Sequence, residues 1–175
     1  MSTTEQTGAA RIDHVVVPGT FDPVTLGHMD VISRTRKLFP CVTVAVAASV
    51  NKRGRGTAFT LEERVEMLRQ ALAEEGLSDV EVLPFTGLLV DFCHGIGALG
   101  VVKGLRAMTD FEYELQQADL NCHMAPDIES VFVMSNPKYG YVSSSIVREI
   151  SSMGSDVSSL VPPCVNQRLK EHYSA

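Results

Sequence analysis

The chain has 175 residues and a formal charge of −6, from 15 lysines and arginines against 21 aspartates and glutamates. With 45% apolar and 21% charged residues, its composition is that of one folded domain able to bury roughly two thirds of its unfolded surface. The acidic balance argues against gripping nucleic acid by bulk charge, and the longest uncharged run, the 14 residues 38–51, is too short to span a bilayer.

Residues 1–12 are small and polar and carry neither the basic nor the apolar region of a signal peptide; they read as a disordered tail before a single domain, 13–175. The run His14-Val-Val-Val-Pro18 predicts a buried strand. Met29 to Phe39 carries apolar residues on one helical face, and Val42-Thr-Val-Ala-Val-Ala47 predicts a second strand. A basic loop, Asn51-Lys-Arg-Gly-Arg-Gly56, leads to a helix whose start is marked by Thr60 and Glu63, a capping box. Val80–Leu83 and Gly100–Lys103 predict two more strands, with a helix over Leu88–Ile96 between them. Met108–Met124 predicts an acidic helix, Ser130–Met134 a fifth strand, and Ser143–Met153 and an exposed tail, Pro162–Tyr173, two final helices. Strands alternating with helices imply right-handed βαβ units: an α/β, Rossmann-like five-stranded parallel sheet with helices on both faces. Cys41, Cys93, Cys122 and Cys164 lie far apart without zinc-like spacing, and read as reduced structural cysteines of a cytosolic protein.

In such a fold the ligand lies beyond the carboxyl ends of the strands, so the segments after each strand matter most. After the first comes Pro18-Gly-Thr-Phe-Asp-Pro23, then Thr25-Leu-Gly-His28 opening a helix. Gly19 and Gly27 admit close backbone approach, and free N–H groups at a helix start attract phosphate. A histidine there donates to phosphoryl oxygens, while the helix end disfavours extra positive charge unless an anion binds. Gly104-Leu-Arg106 and Ser143-Ser-Ser145 bring further glycine, cation and hydroxyls to the same end.

The eleven-position string from Pro18 to His28, with its T-x-G-H ending, resembles the nucleotidylyltransferase superfamily. The segments Thr60-Leu-Glu-Glu-Arg64, Lys103-Gly-Leu-Arg-Ala107, Asp110-Phe-Glu-Tyr-Glu114 and Val142-Ser-Ser-Ser145 make the chain similar to the bacterial phosphopantetheine adenylyltransferases, from about His14 to the C-terminal helix. The resemblance implies transfer of the adenylyl group of ATP to 4′-phosphopantetheine, giving dephospho-coenzyme A and pyrophosphate without a protein nucleophile. It implies catalytic roles for His28, Lys52 and Arg106. It assigns ATP contacts to Thr20, Phe21, His28, Gly104, Leu105, Arg106, Glu114, Tyr139, Gly140, Tyr141, Val142, Ser143, Ser144 and Ser145. It assigns phosphopantetheine contacts to Thr20, Lys52, Leu89 and Lys103. Mg²⁺ is expected to ride on ATP rather than in an all-protein cage. A homohexamer in the cytoplasm, with coenzyme A as a feedback ligand, is likewise implied by the resemblance. Two positions depart from the family pattern: Lys103 stands where arginine is expected, and Tyr139 where tryptophan is common. A sister nucleotidylyltransferase using another phosphate acceptor, such as nicotinamide mononucleotide or a glycerol phosphate with CTP, and a nucleotide sensor without turnover are the alternatives.

Overall fold

In the computed structural model, which describes residues 11–48, 57–106 and 108–174, the five apolar runs pair into one parallel sheet. Strands β1 (His14–Gly19), β2 (Cys41–Ala47), β3 (Glu81–Phe85), β4 (Gly100–Leu105) and β5 (Glu129–Met134) lie in the order β3-β2-β1-β4-β5. Every pairing is parallel, with Val15 of β1 opposite Val42 on one side and Gly100 on the other. The helices are α1 (Leu26–Leu38), α2 (Leu61–Glu74), α3 (Leu89–Gly95), α4 (Met108–Met124), α5 (Ser144–Ser152) and α6 (Pro163–Tyr173).

Alternation along β1 divides the interior in two. Val15 and Val17 join Ile32 of α1, Leu68 and Leu72 of α2, Val147 of α5 and Leu169 of α6. Val16 points the other way, to Val90 and Cys93 of α3 and to Ala125 and Ile128 after α4. A central strand covered on both faces has no use for a polar face, hence three consecutive buried valines. Each fully buried aliphatic chain contributes about 1.5–3 kcal/mol, so the two layers hold the strand ends at fixed positions.

Helix α1 opens at Thr25-Leu-Gly-His28 as expected, with Thr25 as its N-cap, and ends at Leu38 with Phe39 as its C-cap. Some other boundaries differ from the sequence expectation. Val80 is buried but precedes β3. The tail helix is not simply exposed: α6 packs on α2 and α5 and buries Cys164, Val165 and Leu169. The expected capping box at α2 is present, with Thr60 Oγ1 accepting the Glu63 N–H at 3.2 Å and Glu63 Oε2 accepting the Thr60 N–H at 2.9 Å. All four cysteines are free, and burial pushes the Cys93 and Cys164 thiols up to about 11, so neither is a ready nucleophile. Among the described residues no helix is long and apolar enough to cross a membrane.

Candidate active site

Strand order reverses between β1 and β4, since the chain builds β2 and β3 on one side and then crosses to β4 and β5 on the other. Beyond the carboxyl ends of these strands two cavities open side by side. The first, of about 480 Å³, takes its walls from β1, the start of α1, the end of β4, α4 and the start of α5. The second, of about 590 Å³, lies between the loop after β1, the ends of β2 and β3, and α4. Pro18, Gly19 and Lys103 line both.

The loop after β1 is shaped by its own residues. Phe21 sits in the left-handed region at φ 50°, a costly position for a bulky side chain, and is nonetheless 3% exposed. Its ring folds back over Gly19, where an added Cβ would meet ring carbons at 2.9 Å. The same ring stands edge-on to His28, with centroids 5.1 Å apart. Asp22 secures the next step: its carboxylate accepts the N–H groups of Ala58 and Phe59 at 2.9 and 3.0 Å and pairs with Arg148 at 3.3 Å. Arg64, 2% exposed, donates to the carbonyls of Thr20 at 2.6 Å, Ala47 at 2.9 Å and Thr60 at 3.3 Å. One guanidinium thus ties the loop after β1 to the end of β2 and the start of α2.

His28 occupies the third position of α1, and its ring completes an unusual capping box. Nδ1 lies 3.1 Å from the Thr25 backbone nitrogen and 3.0 Å from Thr25 Oγ1. A backbone N–H can only donate, so Nδ1 is an acceptor and the ring proton sits on Nε2. Desolvation at the cavity wall lowers the imidazole from 6.5 to about 4, and the Arg106 charge acts in the same direction. At neutral pH the site therefore presents a neutral Nε2–H donor beside a guanidinium.

The N-termini of α1 and α5 both border the first cavity, so two sets of backbone N–H groups with partial positive charge converge there. Ser143 caps α5 by accepting the Ile146 N–H at 3.2 Å, and Ser144 donates to the Pro23 carbonyl at 2.8 Å. Arg106 donates to the Val142 carbonyl at 2.9 Å, joining the end of β4 to the same turn. Gly104 is needed for packing: a Cβ there would meet Val31 Cγ2 at 2.8 Å.

Of the residues singled out in the sequence, Phe21, His28, Gly104, Arg106, Glu114, Val142, Ser143, Ser144 and Ser145 line the first cavity. Thr20 and Leu89 line the second, and Lys103 lines both. Leu105 is buried in the sheet, Tyr139 packs partly buried against the core, and Gly140 and exposed Tyr141 also line neither cavity. Lys52 lies outside the described residues. Thr25, the first residue of the T-x-G-H string, caps α1 locally, whereas Asp22, Arg64 and Arg148 make framework hydrogen bonds between distant segments, which local spacing does not reveal. Among the described residues no three acidic, histidine or cysteine side chains cluster to hold a metal ion. The donors around the first cavity suit phosphate oxygens.

A parallel sheet with a phosphate-type site at its switch point defines a nucleotide-binding α/β protein, and the comparisons with known proteins make it a nucleotidyltransferase. Residues 16–150 match the model of the cytidylyltransferase-like family. A phosphopantetheine adenylyltransferase of Nocardioides sp. is 48% identical over 91% of this chain and 97% of its own. That of Thermobifida fusca is 49% identical over 91% and 94%. The chain belongs to the cytidylyltransferase-like family, on its phosphopantetheine adenylyltransferase branch. Solved structures repeat the fold at low identity. A bifunctional NMN adenylyltransferase/ADP-ribose pyrophosphatase of Francisella tularensis is 15% identical with a TM-score of 0.69, covering 94% of this chain, which spans about half (51%) of that one. A Vibrio parahaemolyticus chain assigned as a nicotinate-nucleotide adenylyltransferase is 16% identical with a TM-score of 0.64, over 93% and 96%.

Proposed function

We propose that this enzyme joins the adenylyl group of ATP to the phosphate of 4′-phosphopantetheine, giving dephospho-coenzyme A and pyrophosphate. The observation that carries this reading is the meeting of two cavities at Pro18, Gly19 and Lys103. ATP takes the first, where helix N-termini, Arg106 and hydroxyls suit its phosphates and Glu114 suits its hydroxyl donors. The acceptor takes the second, whose apolar wall of Phe85, Leu88, Leu89, Leu120 and Met124 is interrupted by Gln117 and Asn121. That alternation suits a long arm of methylenes and amides ending in a phosphate at Thr20 and Lys103.

In the reaction an acceptor phosphate oxygen attacks the α-phosphorus of ATP, a new P–O bond forms, and the bond to the β-phosphate oxygen breaks as pyrophosphate leaves. The protein contributes position and charge, with no covalent step of its own. His28 donates from Nε2 to a non-bridging oxygen of the transferring group. Arg106 holds the triphosphate, Lys103 and Thr20 hold the attacking phosphate, and Lys52 supplies a further cation. Leu105 and the turn Tyr139, Gly140, Tyr141 act by supporting the nucleotide walls. A divalent ion, Mg²⁺ in this reading, would be held by the triphosphate oxygens rather than by a protein cage and would offset part of their charge.

The domain 13–175 works as part of a hexamer in this reading, supported by apolar side chains that α4 leaves exposed, Phe111 and Leu115 among them. Coenzyme A, which shares the acceptor's arm, is a fitting feedback ligand for the second cavity. The reading is tested by pyrophosphate release from ATP with 4′-phosphopantetheine, nicotinamide mononucleotide or no acceptor, and from CTP with glycerol phosphate. Release should require ATP and 4′-phosphopantetheine. Turnover with another acceptor, or binding with no release at all, contradicts it.

A further inference from the structure

Lys103 is the one charged side chain that borders both cavities among the described residues, and it is already engaged. Its Nζ lies 3.1 Å from Oε2 of Glu114, which lines the first cavity only. Both side chains are mostly shielded, at 25% and 21% exposed. Glu114 Oε2 itself is buried and accepts no hydrogen bond from the described residues, so the ammonium is what offsets its charge. The pair bridges β4 and α4 across the junction where the two cavities meet.

A phosphate monoester approaching Lys103 from the second cavity therefore meets a neutralised ammonium and a carboxylate that repels it. ATP in the first cavity carries hydroxyl and amine donors, the kind of partner that Oε2 lacks. We infer that Glu114 sets the affinity for the phosphate acceptor by competing for Lys103, and that nucleotide binding relieves this competition, so nucleotide and acceptor bind with positive coupling. This rests on the assignment of the two cavities proposed above. Coupling of this kind is reciprocal: the acceptor must tighten the nucleotide by the same factor.

The test is calorimetric titration of the intact protein with 4′-phosphopantetheine, alone and with saturating α,β-methylene-ATP, which cannot transfer its adenylyl group. In the wild type the analogue should lower the acceptor Kd about three- to tenfold, the scale of one like-charge contact at a partly solvated site. Glu114→Gln should bind the acceptor alone about as tightly as the wild type does with the analogue, and the coupling should vanish. In Lys103→Ala the acceptor should weaken about tenfold or more, and adding Glu114→Gln to it should recover no more than the carboxylate's own repulsion, leaving the double variant weaker than Glu114→Gln alone. Wild-type protein without coupling overturns the inference, whatever the variants do. So does a Glu114→Gln variant that binds the acceptor no better than wild type while Lys103→Ala binds it worse; Glu114 would then only orient the lysine. A Lys103→Ala variant with unchanged acceptor affinity overturns the underlying assignment of the second cavity as well.

Discussion

His28 is the residue on which the proposed chemistry turns. Its Nδ1 is committed to Thr25, so its only free function is donation from Nε2. His28→Ala should leave ATP and acceptor binding within about tenfold but cut turnover by on the order of 10²-fold or more, as loss of a preorganised donor does. A variant with near wild-type turnover and poor ATP affinity would contradict that role. The lowered basicity is separately testable. By ¹⁵N NMR, the His28 ring of the free protein should hold its proton on Nε2 and titrate near 4, not near the ordinary 6.5. The unfolded chain takes up a proton at about 6.5 that the folded ring refuses, so this group costs stability as pH falls from 6.5 towards 4. Asp22 is the structural counterpart. Asp22→Ala leaves the Ala58 and Phe59 N–H groups without their acceptor and takes from Arg148 its carboxylate partner, leaving it the residue-22 backbone carbonyl. It should lower the unfolding free energy by about 3 kcal/mol in denaturant titration.

At the scale of elements, the loops work because strands and helices hold their roots. Arg64 reaches from α2 to the carbonyls of Thr20 and Ala47, the two points where the chain leaves β1 and β2. Arg64→Met would take the guanidinium from the carbonyls of Thr20 and Ala47, while Thr60 keeps the residue-64 backbone N–H, so a loss of about 3 kcal/mol is expected, with turnover falling in whatever fraction stays folded. Gly104→Ala should press β4 and α1 apart through Val31, costing about 1–3 kcal/mol by thermal or chemical unfolding and lowering turnover. The elements themselves were legible in the sequence where signals are local. Examples are the valine runs of β1 and β2, the Thr60–Glu63 capping box, and the span of α4, which matches expectation residue for residue. Helix α6 reads as exposed in the sequence because its buried stripe, Cys164, Val165 and Leu169, is short and interrupted by polar residues. The glycines, His28 and the serines were legible as phosphate-binding types at the right strand ends. The framework pairs were not: Arg64 meets Thr20 across 44 positions and Arg148 meets Asp22 across 126, so only the fold brings them together. Nor does spacing reveal that Lys103 and Glu114 pair.

For the whole molecule, the strand order places one switch point, and both cavities open at it. In the proposed reading that arrangement accounts for direct group transfer: two ligands would meet at a common wall of Gly19 and Lys103. It also leaves part of α4 apolar and uncovered, and light scattering should find a particle of about six chains with closed symmetry. A fully active monomer would refute that assembly. The central claim is direct transfer from one cavity to the other, and stereochemistry at the α-phosphorus tests it. With ATP bearing a chiral α-phosphorothioate and 4′-phosphopantetheine as acceptor, the account predicts a dephospho-coenzyme A analogue with inverted configuration. Retention would mean two displacements through an adenylylated protein side chain, and would contradict it.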